Sequence, residues 1–212
     1  MRKDYCELVM IIDRSGSMSG KEKDVEGGFK SFLKEQRKLP GEASLSLVHF
    51  DDVYEQLFSQ KSLSEKIPDY VLVPRGMTAL LDAIGKTIAS VGERLSRTSE
   101  VDRPDKVLLI IMTDGMENAS KEYSYARIKE MIEHQKNVYQ WEFIFMGADM
   151  DAISVANTIG IDVQNTVNAK RTKTGGMFEA ASLASANYRS YGSTKSKKGE
   201  SVQDLYDKTE VD

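Results

Sequence analysis

The chain has 212 residues and a formal net charge of −4, with 29 Lys and Arg set against 33 Asp and Glu. That mildly acidic balance argues against general binding to a phosphate backbone, so no nucleic-acid partner is expected. Apolar residues make up 40% of the chain, which supplies a sizeable core for one domain with or without an extension.

Tyr5–Ile12 reads as the first strand. Its end, Leu8-Val9-Met10-Ile11-Ile12, is a continuous apolar run of the kind buried on both faces of a sheet. The run is too short for a signal peptide and is followed at once by Asp13, and no later stretch approaches the length of a membrane span. Cys6 lies in this strand as a buried small residue. It has no internal disulfide partner, which favours a reducing compartment. A soluble, cytoplasmic protein that does not engage a membrane is expected.

Asp13-Arg14-Ser15-Gly16-Ser17 then emerges at the strand's carboxyl end, where open α/β sheets place their ligands. The Asp13 carboxylate and the Ser15 and Ser17 hydroxyls are hard oxygen donors, suited to Mg²⁺ or Mn²⁺ more than to zinc. Gly16 lets the backbone turn tightly between them. Ser17 or Ser19 is placed to cap a helix that carries Val25, Phe29, Phe32 and Leu33 and runs to about Lys38, before Pro40. Gly27 and Gly28 inside it cost roughly 1 kcal/mol each relative to Ala. They read as a close approach of helix to sheet, with a helix irregularity as the alternative.

Ser44–Phe50 alternates as a strand, Asp51 and Asp52 form the turn, and Val53–Phe58 returns as a hairpin. The two carboxylates read as turn formers and His49 as structural. Residues 62–73 are mixed, with a short strand near Tyr70. Gly76-Met77-Thr78-Ala79-Leu80 leads from a loop into a helix beginning at Thr78, whose stripe is Leu80, Ile84, Ile88, Val91 and Leu95. After a polar loop from Arg97 to Pro104, Val107–Met112 is a second buried-strand run, ending in Thr113-Asp114-Gly115. Tyr125, Ile128, Met131 and Ile132 mark a helix. Tyr139–Met146, containing Trp141, marks a strand that ends at Gly147. Asp149 follows in a loop at the same sheet end. A short helix to Gly160, a weak edge strand over Asp162–Val167 and a helix carrying Met177, Ala181, Ala184, Tyr188 and Tyr191 complete the pattern. Residues 1–191 read as the domain and 192–212 as a polar tail, in which Val202, Leu205 and Tyr206 could dock as a short helix.

Strands alternating with helices call for an α/β fold: a doubly wound, Rossmann-like, mostly parallel six-stranded sheet with helices on both faces. In the order 3-2-1-4-5-6, with one antiparallel edge strand from the hairpin, the first and fourth strands are neighbours. Asp13, Ser15, Ser17, Asp114 and the loop residue Thr78 would then converge.

Three segments, IIDRSGSM, GMTALLDAI and MTDGMENAS, together resemble the metal-ion-dependent adhesion site of von Willebrand factor type A domains in order and spacing. The resemblance covers roughly residues 5 to 190. It implies that Ser15, Ser17 and Thr78 approach a divalent ion directly or through one water, while Asp13 and Asp114 act mostly through waters. The surroundings differ from the family pattern, with Arg14 and Met77 flanking the site where they would tune its partner, and the resemblance implies that soluble intracellular members often act as adaptors in larger assemblies. An ion held mainly by hydroxyls and waters keeps a preference for an anionic oxygen, so another protein supplying an Asp or Glu is the expected partner. The competing reading is a metal-dependent hydrolase of phosphate esters. Against it, Ser15 stands where an aspartate-based phosphatase needs a second carboxylate, no phosphate-binding P-loop occurs, and His49 and His134 fall elsewhere. A binding module and not an enzyme is expected.

Overall fold

The structure is a computed structural model that describes residues 1–148, 150–169 and 174–209. Six strands, β1 (Arg2–Asp13), β2 (Glu42–Phe50), β3 (Tyr54–Ser62), β4 (Pro104–Thr113), β5 (Glu142–Ala148) and β6 (Thr166–Ala169), form one sheet in the order β3-β2-β1-β4-β5-β6. Every neighbouring pair is parallel except β2 and β3, which form the antiparallel hairpin. The helices are α1 (Glu22–Lys38), α2 (Leu80–Arg97), α3 (Tyr125–Tyr139), α4 (Ala152–Thr158), α5 (Thr174–Tyr191) and α6 (Val202–Thr209).

The apolar run of β1 is buried because it feeds two cores at once. Leu8, Met10 and Ile12 pack with Phe29 and Phe32 of α1, Phe178 of α5 and Leu205 of α6. Val9 and Ile11 face the other way, with Leu80 and Ile84 of α2, Ile128 of α3 and Ala156 of α4. Alternate side chains of a strand point to opposite faces, so a strand covered on both sides loses its polar alternation.

Several boundaries differ from the sequence expectation. The first helix starts at Glu22 with Lys21 at its cap, because Gly16–Met18 coil into a 3-10 turn and neither Ser17 nor Ser19 caps it. Similarly, α2 begins at Leu80, with Thr78 still in the loop. No strand forms near Tyr70, although Tyr70 and Leu72 are buried against the core. The third helix continues to Tyr139 and is stopped by Gln140 in the left-handed region, so Trp141 sits just ahead of β5 and packs in the core. The strand itself runs on through Gly147 to Ala148. At the edge, Val163–Asn165 form a 3-10 turn and the strand is Thr166–Ala169.

Gly28 answers to a helix and not to the sheet: a Cβ there would lie 2.4 Å from Cδ2 of Phe178, whereas one on Gly27 would meet nothing within 4 Å. Val202, Leu205 and Tyr206 are buried, so the chain beyond Gly192 docks through α6. Gln203 of α6 also accepts a hydrogen bond from the backbone N–H of Asn168 on the outer side of β6, at 2.7 Å.

Candidate metal centre

Asp13 ends β1 and Thr113 ends β4, and the parallel pairing of these strands sets the two side by side at the carboxyl rim. The Asp13 carboxylate is fully buried. Its Oδ1 accepts the backbone N–H of Ser15 at 2.6 Å, and its Oδ2 accepts the Thr113 hydroxyl at 2.6 Å. Burial pushes its pKa up to about 6; those two bonds oppose the rise, and the nearby Asp114 adds to it. The 3-10 turn then brings Ser15 Oγ within 3.0 Å of Ser17 Oγ, and Ser17 Oγ donates to Asp114 Oδ1 at 2.5 Å.

Thr78 is delivered by the loop before α2. The backbone N–H of Gly16 donates to the Gly76 carbonyl, and that of Arg75 to the Arg14 carbonyl, so the two loops are stitched together. Gly115 records where the oxygens meet. A Cβ added there would lie 2.7 Å from Thr78 Oγ1, 3.2 Å from Ser17 Oγ and 3.4 Å from Asp13 Oδ2. The structure thus brings together all five residues that the sequence singled out, within one small region at the ends of β1 and β4.

Three supporting residues were not singled out from sequence. Thr113 orients Asp13. Asn118 accepts from the Thr78 backbone N–H. Lys21 holds Asp114, with Nζ 2.5 Å from Oδ2. The only sequence signal is a polar residue near a strand-end Asp: Thr113 one before Asp114, Asn118 four after it and Lys21 eight after Asp13; it is weak because loops are polar in general.

The flanking expectations divide. Met77 is exposed, as is Met116 on the other side of Gly115. Arg14 instead turns inward. Its guanidinium lies 3.0 Å from Asp51 Oδ2 and 3.0 Å from Glu55 Oε2, and it contacts His49 Nε2 at 2.7 Å. A partner touching the rim meets the arginine's backbone and not its charge. Asp51 is also held by Arg75 and accepts the backbone N–H of Val53, while Asp52 Oδ1 accepts from Met77. Both carboxylates therefore fasten loops, as turn residues do. His49 is structural. His134 stacks edge-on against Tyr139. Asp149 lies outside the described residues.

The donor set is two carboxylates and three hydroxyls. Among the described residues no three His, Cys, Asp or Glu side chains form a cluster fit for a metal. An ion here would draw on the three hydroxyls and on water beside the two carboxylates. Such a set fits a small hard cation that retains part of its hydration, and offers nothing to a soft one.

Solved structures match this architecture. Proximal thread matrix protein 1 from the mussel byssus, in a form with a zinc-occupied MIDAS motif, superposes with a TM-score of 0.62 at 14% identity, over 86% of this chain and 46% of that one. The ArnB paralog VWA2 from Sulfolobus acidocaldarius gives 0.56 at 18% identity, over 84% and 44%. The vWF domain of the type V pili tip protein Mfa5 from Porphyromonas gingivalis gives 0.58 at 12% identity, over 84% and 94%.

The chain has the von Willebrand factor type A fold.

At these identities the likeness is one of fold, and the chain spans less than half the length of the mussel protein. No protein-family model matches the sequence, and no curated protein is similar to it in sequence. Within this von Willebrand factor type A fold, the rim of β1 and β4 lies at the carboxyl ends of the central strands, where the loops rather than the sheet decide what is bound.

Proposed function

We propose that the chain is a metal-ion-dependent protein-binding module. Asp13, Ser15, Ser17, Thr78 and Asp114 would hold a divalent cation, Mg²⁺ or Mn²⁺. When bound, the ion supplies a vacant electrophilic position for an Asp or Glu carboxylate of a partner protein. The observation that carries this reading is the meeting of the Thr78, Ser17 and Asp13 oxygens around the one point that Gly115 leaves open. The zinc-occupied MIDAS motif of the mussel byssus protein supports a cation at the corresponding rim.

The chain's own residues position and shield. Thr113 and the Ser15 backbone fix the Asp13 carboxylate, so it is already oriented before an ion arrives. The loop bonds from Gly16 and Arg75 hold Thr78 against the serines. Binding is favoured over turnover because His49 is engaged by Arg14 and Glu55, leaving it poorly placed as a base at the rim. An adaptor role inside the cell fits the chain's one cysteine, Cys6, which is buried and free.

The test is a Mg²⁺ and Mn²⁺ titration followed by thermal unfolding, paired with partner capture in Mg²⁺ and again in EDTA. A rise in melting temperature that Ser15→Ala and Asp13→Ala abolish, with capture lost in EDTA, supports the reading. No shift at millimolar ion overturns it. Metal-dependent turnover of a phosphate ester that Ser15→Ala removes would replace it with a hydrolase.

A further inference from the structure

Lys21 brings a positive charge to a place where an incoming cation would be repelled. It stands between the 3-10 turn and α1, with its side chain 8% exposed. Its Nζ is 2.5 Å from Asp114 Oδ2, while Asp114 Oδ1 accepts from Ser17. Beside the pair Ile12, Met18, Val25, Met112, Met177 and Phe178 line a small apolar void. Charges in such surroundings interact over several ångströms with little screening.

Resting on the metal-binding reading above, we infer that Lys21 is a built-in counter-cation of the site, which sets how tightly the ion is held and how strongly the loaded site draws an anion. One of the two Asp114 oxygens is committed to the ammonium, so only Oδ1 faces the serine side. Without an ion, Lys21 offsets the repulsion between Asp13 and Asp114 and ties the start of α1 to the end of β4. With an ion, the ammonium on Asp114 Oδ2 adds its positive charge to that of the cation, and a partner's carboxylate is drawn by both. The site therefore holds a bare ion loosely and an ion together with a carboxylate firmly.

The experiment needs only Mn²⁺. Its affinity is measured by the electron paramagnetic resonance signal of free Mn²⁺ for the wild-type chain, Lys21→Met and Lys21→Arg, with and without acetate, alongside thermal unfolding in EDTA. Lys21→Met is expected to bind Mn²⁺ at least about tenfold more tightly, to gain less from acetate, and to melt lower than wild type in EDTA. Lys21→Arg, which keeps the charge, stays near wild type in all three. If Lys21→Met does not fold, Lys21→Gln provides the same comparison. Wild-type binding with unchanged or weakened affinity in the neutral variants overturns the inference and leaves the metal site standing. No Mn²⁺ binding by the wild type overturns both.

Discussion

Thr78 and Asn118 hold each other through two hydrogen bonds: the Thr78 backbone N–H donates to Asn118 Oδ1 at 2.8 Å, and the Asn118 backbone N–H donates to the Thr78 carbonyl at 3.0 Å. One residue precedes α2 and the other follows β4, so the clamp ties the hydroxyl-bearing loop to the loop of Asp114. Asn118→Ala leaves the buried Thr78 N–H without its partner, at a cost of about 1–2 kcal/mol. Mn²⁺ affinity should fall by about tenfold as Thr78 loses its anchor. Asn118→Asp keeps the acceptor and should retain most of the stability. Titration calorimetry and urea unfolding on the two variants check this.

Asp13 makes a prediction whose sign depends on the ion. Its carboxyl titrates near 6 in the folded chain, because burial outweighs the bonds from Thr113 and Ser15. A group that binds its proton more readily folded than unfolded lowers stability as pH rises between those two pKa values. In EDTA the penalty should accumulate from about pH 4 to about pH 6 and reach up to about 3 kcal/mol. Asp13→Asn removes it. The Ser15 N–H can still donate to the amide oxygen, and the Thr113 hydroxyl can turn to the Gly115 carbonyl 3.1 Å away. In EDTA at pH 7 the variant should therefore melt no lower than wild type, while the stabilisation by Mg²⁺ disappears. Paired melting curves from pH 4 to pH 8 would expose a wrong sign as a wild-type advantage that grows with pH in EDTA.

Gly115→Ala puts a methyl group where the side-chain oxygens converge. A carbon 2.7 Å from Thr78 Oγ1 forces that hydroxyl aside. Rotating a threonine side chain is cheap, so stability in EDTA should change by under about 1 kcal/mol. Ion binding should be abolished. An alanine variant that still binds Mn²⁺ with native affinity would place the ion elsewhere.

The two glycines of α1 should respond in opposite directions. Gly28→Ala drives a methyl group into the Phe178 ring and should destabilise by about 1–3 kcal/mol. Gly27→Ala meets open space and gains helix propensity, so it should stabilise by up to about 1 kcal/mol. Denaturant midpoints of the two single variants decide it.

The sheet order was readable because β1 and β4 are buried on both faces, which leaves unbroken apolar runs, and because each ends abruptly in an Asp. Asp13, Ser15, Ser17, Thr78 and Asp114 could be named together because they stand at strand ends and loop entries, where local sequence and three-dimensional position coincide. Lys21 and Asn118 could not. Each acts on a residue far along the chain, and a lysine before a helix or an asparagine in a loop looks the same whatever it touches. The start of α1 was misread for a related reason: Ser17 Oγ is spent on Asp114 and not on capping. Gly28 was assigned to the sheet because its actual neighbour, Phe178, belongs to a helix whose packing no short-range pattern reveals.

The hydrogen bond between Asn168 and Gln203 bears on how the outer edge of the sheet is covered. A sheet has two raw margins, each a template for another chain. On one side β3 is irregular, with slipped register against β2 and Gln60 in the left-handed region, and it carries Glu55 and Lys61. On the other, β6 is short and regular, and α6 lies over it with Gln203 occupying one of its outward amides. A chain cut ahead of Val202 would keep the metal rim yet bare that second margin, and would be prone to self-association.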